Sequence, residues 1–225
     1  MTPSRSETDS TFPSSSLLSE LAELSKLSDA SIDPFAVMTE ALKEWAIAVE
    51  ALAAGETVVL LRKGGIREAK FLEINGLGDR SQVWLYPTYE HQKPELLKPN
   101  YRDRVVAVPS GWHPETVPIQ AWAKITHGFE LTEPEQVAAL EPFHVWNDAF
   151  VEMRLKWKPR SPLTVLLLRV FRLEQAVAIP FDPSYGGCRS WITLQQQIAA
   201  SPAVPALSDE AYGAIVHDIL ANLAI

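Results

Sequence analysis

The sequence is short of cysteine, of basic charge and of long apolar runs, and each shortage removes a class of protein. Cys188 is the single cysteine among 225 residues, so no intramolecular disulfide can form and no multi-cysteine metal site is available. A reducing, cytoplasmic setting is the expectation that follows. Twenty Lys and Arg stand against 28 Asp and Glu, a formal net charge of −8. A general nucleic-acid coat protein carries a basic surface, so that class is disfavoured, with room left for a local basic groove. The longest apolar stretches, such as Val165-Leu166-Leu167-Leu168, fall far short of the roughly 20 residues a membrane-spanning helix needs. No membrane partner is expected. The N-terminus has no apolar signal core, and Glu7 and Asp9 beside a nearly isolated Arg5 argue against a transit peptide. His113, His127, His144 and His217 lack metal-ligand spacing, so no metal site is expected. No internal repeat, Walker spacing or dinucleotide glycine fingerprint is found.

What is present is the material of a globular core: 47% hydrophobic residues, with seven tryptophans and eight phenylalanines. Residues 1–32 read as a disordered or loosely docked extension. Its start is rich in Ser, Thr and Pro, and Leu17, Leu18, Leu21, Leu24 and Leu27 then recur at helical spacing. Residues 33–225 read as one domain. Asp33-Pro34 predicts a helix start, with Val37, Ala41, Leu42, Trp45, Ala46, Val49 and Leu52 on one face and Gly55 as its stop. Strands are expected at Thr57–Leu61, Phe71–Ile74 and Val83–Tyr86, with a further strand at Val105–Val108 and a strand or hairpin over Ala121–Leu131.

Further along, Pro94–Lys98 reads as a short helical piece and His144–Trp157 as a helix that Pro159 ends. Pro162–Leu173 and Ala176–Ile179 read as a hairpin turning at Glu174-Gln175. A helix is expected at Trp191–Ala199, and a last one at Ser208–Leu223, capped by Ser208. Strands and helices do not alternate regularly. An α+β domain with a mixed or mainly antiparallel sheet flanked by helices fits best.

The strand ending Leu60-Leu61-Arg62-Lys63 runs into Gly64-Gly65, followed by Arg67 and Glu68. The glycines let backbone approach an anion, while Arg62, Lys63 and Arg67 supply charge and Glu68 is a potential base. The plainer alternative is a solvated turn with a surface ion pair of little worth. The turn's likeness to Nudix hydrolases fails because no glutamate-rich metal-binding helix follows, and Glu68-Ala69-Lys70 is only half of a nuclease motif.

Tyr86-Pro87-Thr88-Tyr89-Glu90-His91-Gln92 is a second candidate, a strand-exit segment. His91 is of the residue type suited to acid–base work, Glu90 can partner it, and Tyr86 and Tyr89 can stack on a ring. The alternative is tyrosines packed at the core edge with solvated Glu90 and His91. Two weaker candidates follow. Tyr185-Gly186-Gly187-Cys188-Arg189-Ser190 before the expected helix could bind an anion at the helix start or present Cys188 as a nucleophile, but such a cysteine is more often an inert buried thiol beside a turn. The cations Arg154, Lys156, Lys158 and Arg160 around Trp157 make a basic stripe with an aromatic, the composition of a single-strand binder, but they equally suit the negative end of a helix dipole, which is the preferred reading.

Three stretches occur in order: Ala41-Leu42-Lys43-Glu44-Trp45-Ala46, Leu61-Arg62-Lys63-Gly64-Gly65-Ile66-Arg67-Glu68 and Leu85-Tyr86-Pro87-Thr88-Tyr89-Glu90-His91-Gln92. Together they resemble a bacterial family, frequent in cyanobacteria, catalogued as a domain of unknown function. The likeness runs from about Ala41 to Leu173. It implies a cytoplasmic bacterial protein and carries over no activity, cofactor or catalytic residue.

The functional expectation is a module that binds an anionic ligand, a nucleotide or nucleic-acid segment, through Arg62, Lys63, Gly64, Gly65, Arg67, Tyr86, Tyr89 and His91. A metal-dependent phosphoester hydrolase or nuclease with His91 or Glu68 as base is the rival. A structural or interaction protein without a small-molecule site is the third reading. Nothing in the sequence names a cofactor or an oligomeric state.

Overall fold

The computed structural model describes residues 38–63, 82–187, 189–198 and 202–224. The N-terminal extension, the expected strand Phe71–Ile74, Gly64, Gly65, Arg67, Glu68 and Cys188 lie outside the described residues. The described strands are β1 (Glu40–Trp45), β2 (Val59–Lys63), β3 (Gln82–Thr88), β4 (Thr116–Leu131), β5 (Leu163–Pro180), β6 (Trp191–Thr193) and β7 (Ala203–Pro205). They form one sheet in the order β2-β5-β4-β3-β1-β6, with β7 added on β5. Only β1 and β3 pair in parallel; every other pairing is antiparallel. The expected α+β class with a mixed sheet is what is found.

The sheet curls. β2 and β1 are separated by three strands in the hydrogen-bonded order, yet Arg62 of β2 donates through Nη1 to the Lys43 carbonyl (3.1 Å) and to Glu44 Oε2 (2.7 Å) of β1. Both side chains of this ion pair are about nine-tenths buried, which makes it a clip across a seam in place of a surface pair.

Helices cover the sheet: α1 (Ala46–Ala54), α2 (Pro99–Arg102), α3 (Pro134–Ala139), α4 (Asp148–Lys156) and α5 (Asp209–Leu223). α1 is apolar almost all round and is sunk in the main core with Leu60, Leu85 and Leu166. It stops at Gly55, whose φ of 75° lets its N–H reach back to the carbonyls of the last turn. A β-carbon there would stand 2.9 Å from the Ala206 carbonyl oxygen. A second apolar cluster lies around Trp84, Trp122, Ile119 and Tyr185.

Several expectations are corrected. The helix expected from Asp33-Pro34 is a strand over Glu40–Trp45 before it becomes helical, because Ala41 and Leu42 pair with both β3 and β6. Tertiary pairing overrides the helical spacing of its apolar residues. The hairpin expected at Glu174-Gln175 is one strand, β5. Arg172 pairs with Ala121 and Val177 with Ile119, so Leu173 to Ala176 bulge out opposite Gln120 alone. No glycine or proline stands there to close a tight turn. Val105–Val108 is a loop, with Val106 exposed. Trp191 opens the short strand β6 and not a helix, because it pairs with Leu42. In the helix expected at His144–Trp157, the helical part is Asp148–Lys156, capped by Asn147 Oδ1 accepting from Phe150 N. The last helix stands where it is expected, with the Ser208 hydroxyl accepting from Ala211 N.

Candidate functional site

A cavity of about 720 Å³ opens where β1, β2 and β3 end, closed on the far side by the 111–114 loop, the end of α4 and the segment 181–190. Its walls hold the cations Lys43, Arg62, Lys63, Arg154 and Arg189 against the carboxylates Glu44 and Glu90. On a chain of net charge −8 this is a local reversal of sign.

Most of these polar groups hold the site together. Thr88 Oγ1 donates to the Glu44 carbonyl (3.1 Å), and Gln92 Oε1 accepts from Ile47 N (3.0 Å) at the start of α1. The strand-exit segment is thereby fastened at both ends. Glu90 accepts from Gly111 N (2.6 Å) and Ser110 Oγ (3.1 Å), which draws the 109–114 loop against it. The Gly111 hydrogen bond is the main reason the Glu90 carboxyl sits below its ordinary range. Lys43 Nζ donates to the Gly187 carbonyl (3.0 Å) and to that of Tyr185, pinning the segment beyond β5.

Lys63 is different. It is 5% exposed, lines the cavity, and among the described residues its ammonium has no hydrogen-bond acceptor or carboxylate partner. Burial holds it below the ordinary lysine range. Arg154 is half-buried on α4, its guanidinium 4.8 Å from the Phe150 ring centre, and its Nε is buried without an acceptor. Burial lowers its pKa, with Glu44 pulling the other way.

The aromatic part of the wall is Trp45, Tyr86, Tyr89, Trp112, Trp157, Phe181 and Tyr185. Tyr86 meets Tyr185 edge-on at 5.6 Å and Tyr89 meets Trp112 at 5.9 Å. Burial raises both Tyr86 and Tyr89 above the ordinary phenol range, so both stay neutral. His91 lies at the rim with φ of 64°, its Nε2 3.1 Å from Glu90 Oε1. A left-handed backbone at a non-glycine residue is strained, by about 1 kcal/mol or more. His113 stacks on Phe181 at 3.5 Å.

The structure therefore brings Arg62, Lys63, Tyr86, Tyr89 and His91 to one cavity. It assigns them unequal work: Arg62 is committed to the seam, and Tyr86 is largely core. Sequence reasoning left out Lys43, Glu44 and Trp112, and it placed Arg154, Tyr185 and Arg189 in separate, weaker candidates and not beside this cavity. Lys43 and Glu44 were hidden by the helical reading of β1. Arg154 and Trp157 had a signal, the basic stripe with an aromatic, which helix-dipole reasoning explained away. No group of three or more His, Cys, Asp or Glu among the described residues is arranged to hold a metal ion.

The chain belongs to a family described as a domain of unknown function (DUF1802), whose model matches residues 41–218. No curated protein matches it. One solved structure with some likeness is a serine-to-alanine mutant of ZmASCH from Zymomonas mobilis. It is 10% identical, over 79% of this chain and 94% of that one, with a TM-score of 0.38. Similarity at that level carries no functional argument. No helix among the described residues is long and apolar enough to cross a membrane.

Proposed function

We propose that this protein is a cytoplasmic binding module whose strand-end cavity takes an anionic ligand bearing a flat ring, a nucleotide or a nucleic-acid segment. The observation that carries the reading is Lys63: a buried cation on the cavity wall with no partner in its own chain among the described residues. A cation on a cavity wall with no carboxylate beside it among the described residues leaves its charge available to an anion entering the cavity. The cavity's volume is that of an ordinary small-ligand site, and its aromatic wall suits stacking. The test is tryptophan fluorescence and melting temperature during titration with nucleotides and short single-stranded oligonucleotides. Saturable changes that Lys63→Met removes support the module; a flat response to every anionic probe rejects it.

A second reading, hydrolysis of a phosphoester, draws on the His91–Glu90 pair at the same rim. An imidazole oriented by a carboxylate is a serviceable general base. Glu90 is already engaged by Ser110 and Gly111, which ties it to loop architecture. Product release from a phosphoester that His91→Ala abolishes would favour this reading over binding alone.

A further inference from the structure

The cavity has a direction. Its floor is formed by buried residues: Leu61 and Val117 at 1% exposure, Tyr185 at 2% and Lys63 at 5%. Its mouth is formed by exposed ones, Trp112 at 42% and Trp157 at 48%. Of the other described tryptophans, Trp84, Trp122, Trp146 and Trp191 are buried. A tryptophan left in water forgoes a large burial gain, and two at one opening form a surface on which a ring can stack. A cation without a partner among the described residues thus lies inside, and aromatic surface lies outside.

Resting on the reading that this cavity binds an anionic ligand, we propose that it recognises a terminal phosphomonoester attached to a base-like ring. The phosphate points inward to Lys63 and Arg154, and the ring rests against Trp112 and Trp157. An internal phosphodiester does not fit this arrangement. It carries one charge, whereas a phosphomonoester carries nearly two and offers three acceptor oxygens. It must also lead the chain onward on both sides, whereas the residues deepest in the cavity among those described, Leu61, Val117 and Tyr185, are buried. The Arg154 guanidinium, which lines the cavity, offers fork-shaped donors to the phosphate oxygens, and the Lys63 ammonium adds counter-charge. The same chemistry occurs on a free mononucleotide and on the phosphorylated end of a nucleic acid.

The experiment is calorimetric titration of the full chain with five kinds of probe: inorganic phosphate, a ribonucleoside, the common ribonucleoside monophosphates, and a dinucleotide with and without a terminal phosphate. The monophosphates are expected to bind about tenfold or more tightly than the nucleoside, the size of a charge-assisted contact. If the end-phosphorylated dinucleotide shares that advantage over its unphosphorylated twin, the natural source includes nucleic-acid ends. If only mononucleotides have it, the source is the free nucleotide. Lys63→Met removes the advantage, and Arg172→Gln, on an exposed part of β5, leaves it intact. Trp157→Ala weakens monophosphate binding while sparing inorganic phosphate. Equal binding of the two dinucleotides, together with no preference for monophosphate over nucleoside, overturns end recognition. Should the anionic probes bind in that case, the anion-binding reading still stands. No binding by any anionic probe overturns both.

Discussion

Arg169 on β5 and Lys63 on β2 are cations buried on neighbouring strands, and the chain treats them in opposite ways. Arg169 is saturated. It donates to the Leu207 carbonyl (2.6 Å) and to Asp209 Oδ1 (2.5 Å), and its guanidinium lies 5.1 Å from the Tyr212 ring centre and 5.6 Å from that of Phe171. These contacts hold the start of α5 against the sheet. Lys63 has none among the described residues, although Arg62 beside it is fully employed in the seam. A buried cation with a complete shell holds the fold together. One without a shell marks a place where the fold leaves binding capacity unspent.

The comparison can be attacked at four points. The largest effect is expected at Arg169→Met, which strands the Leu207 carbonyl and loosens α5. A loss of about 2–3 kcal/mol, read from urea unfolding, is expected, moderated because Asp209 is largely solvated. A loss near zero would mean that saturation does not measure structural worth.

Next comes His144, also buried without a well-formed hydrogen bond but outside the cavity lining. Burial, helped by Lys98, lowers its pKa from the ordinary 6.5 to about 4. The folded state therefore favours the neutral ring. Its stabilising contribution is complete above pH 6.5 and is lost as pH falls toward 4, by up to about 3 kcal/mol. The stability of His144→Phe should fall less steeply over that window. Parallel pH profiles for the two proteins would contradict the assignment.

Glu44→Gln should lower stability by about 1–2 kcal/mol, because Arg62 keeps its buried charge and loses one of its partners, the carboxylate. It should at the same time raise affinity for anions, since it removes one of the cavity's two carboxylates. Unchanged anion binding would show that the cavity's field is not set by this balance.

The smallest effect is at Lys63→Met. It keeps the apolar stem and removes a charge without a partner among the described residues, so stability should hold or rise by about 0.5–1 kcal/mol in the same unfolding measurement. Destabilisation on the scale of Arg169→Met would erase the distinction between the two cations.

The class of fold was legible because it rests on composition and local pattern: few glycine-rich crossings, irregular order of strands and helices, a lone cysteine. α5 was legible for a local reason, a serine cap before an amphipathic stretch. The Gly55 stop was local too. β1 was not, because its apolar spacing fits a helix and only partners on both sides, β3 and β6, hold it extended. The β5 bulge likewise depends on the strand opposite it.

The candidate site divides along the same line. The sequence by itself showed that Arg62-Lys63 and Tyr86 to His91 end adjacent-looking strands with chemically capable side chains, because strand ends and their polar residues are written in neighbouring positions. Only the tertiary structure decided that these ends meet, that Lys43, Arg154 and Trp157 join them, and that Arg62 is paired while Lys63 has no partner among the described residues. Those facts depend on the curl of the sheet and on contacts between residues far apart in the chain. Whether a charge is satisfied is a property of its neighbours in space, which local pattern does not record.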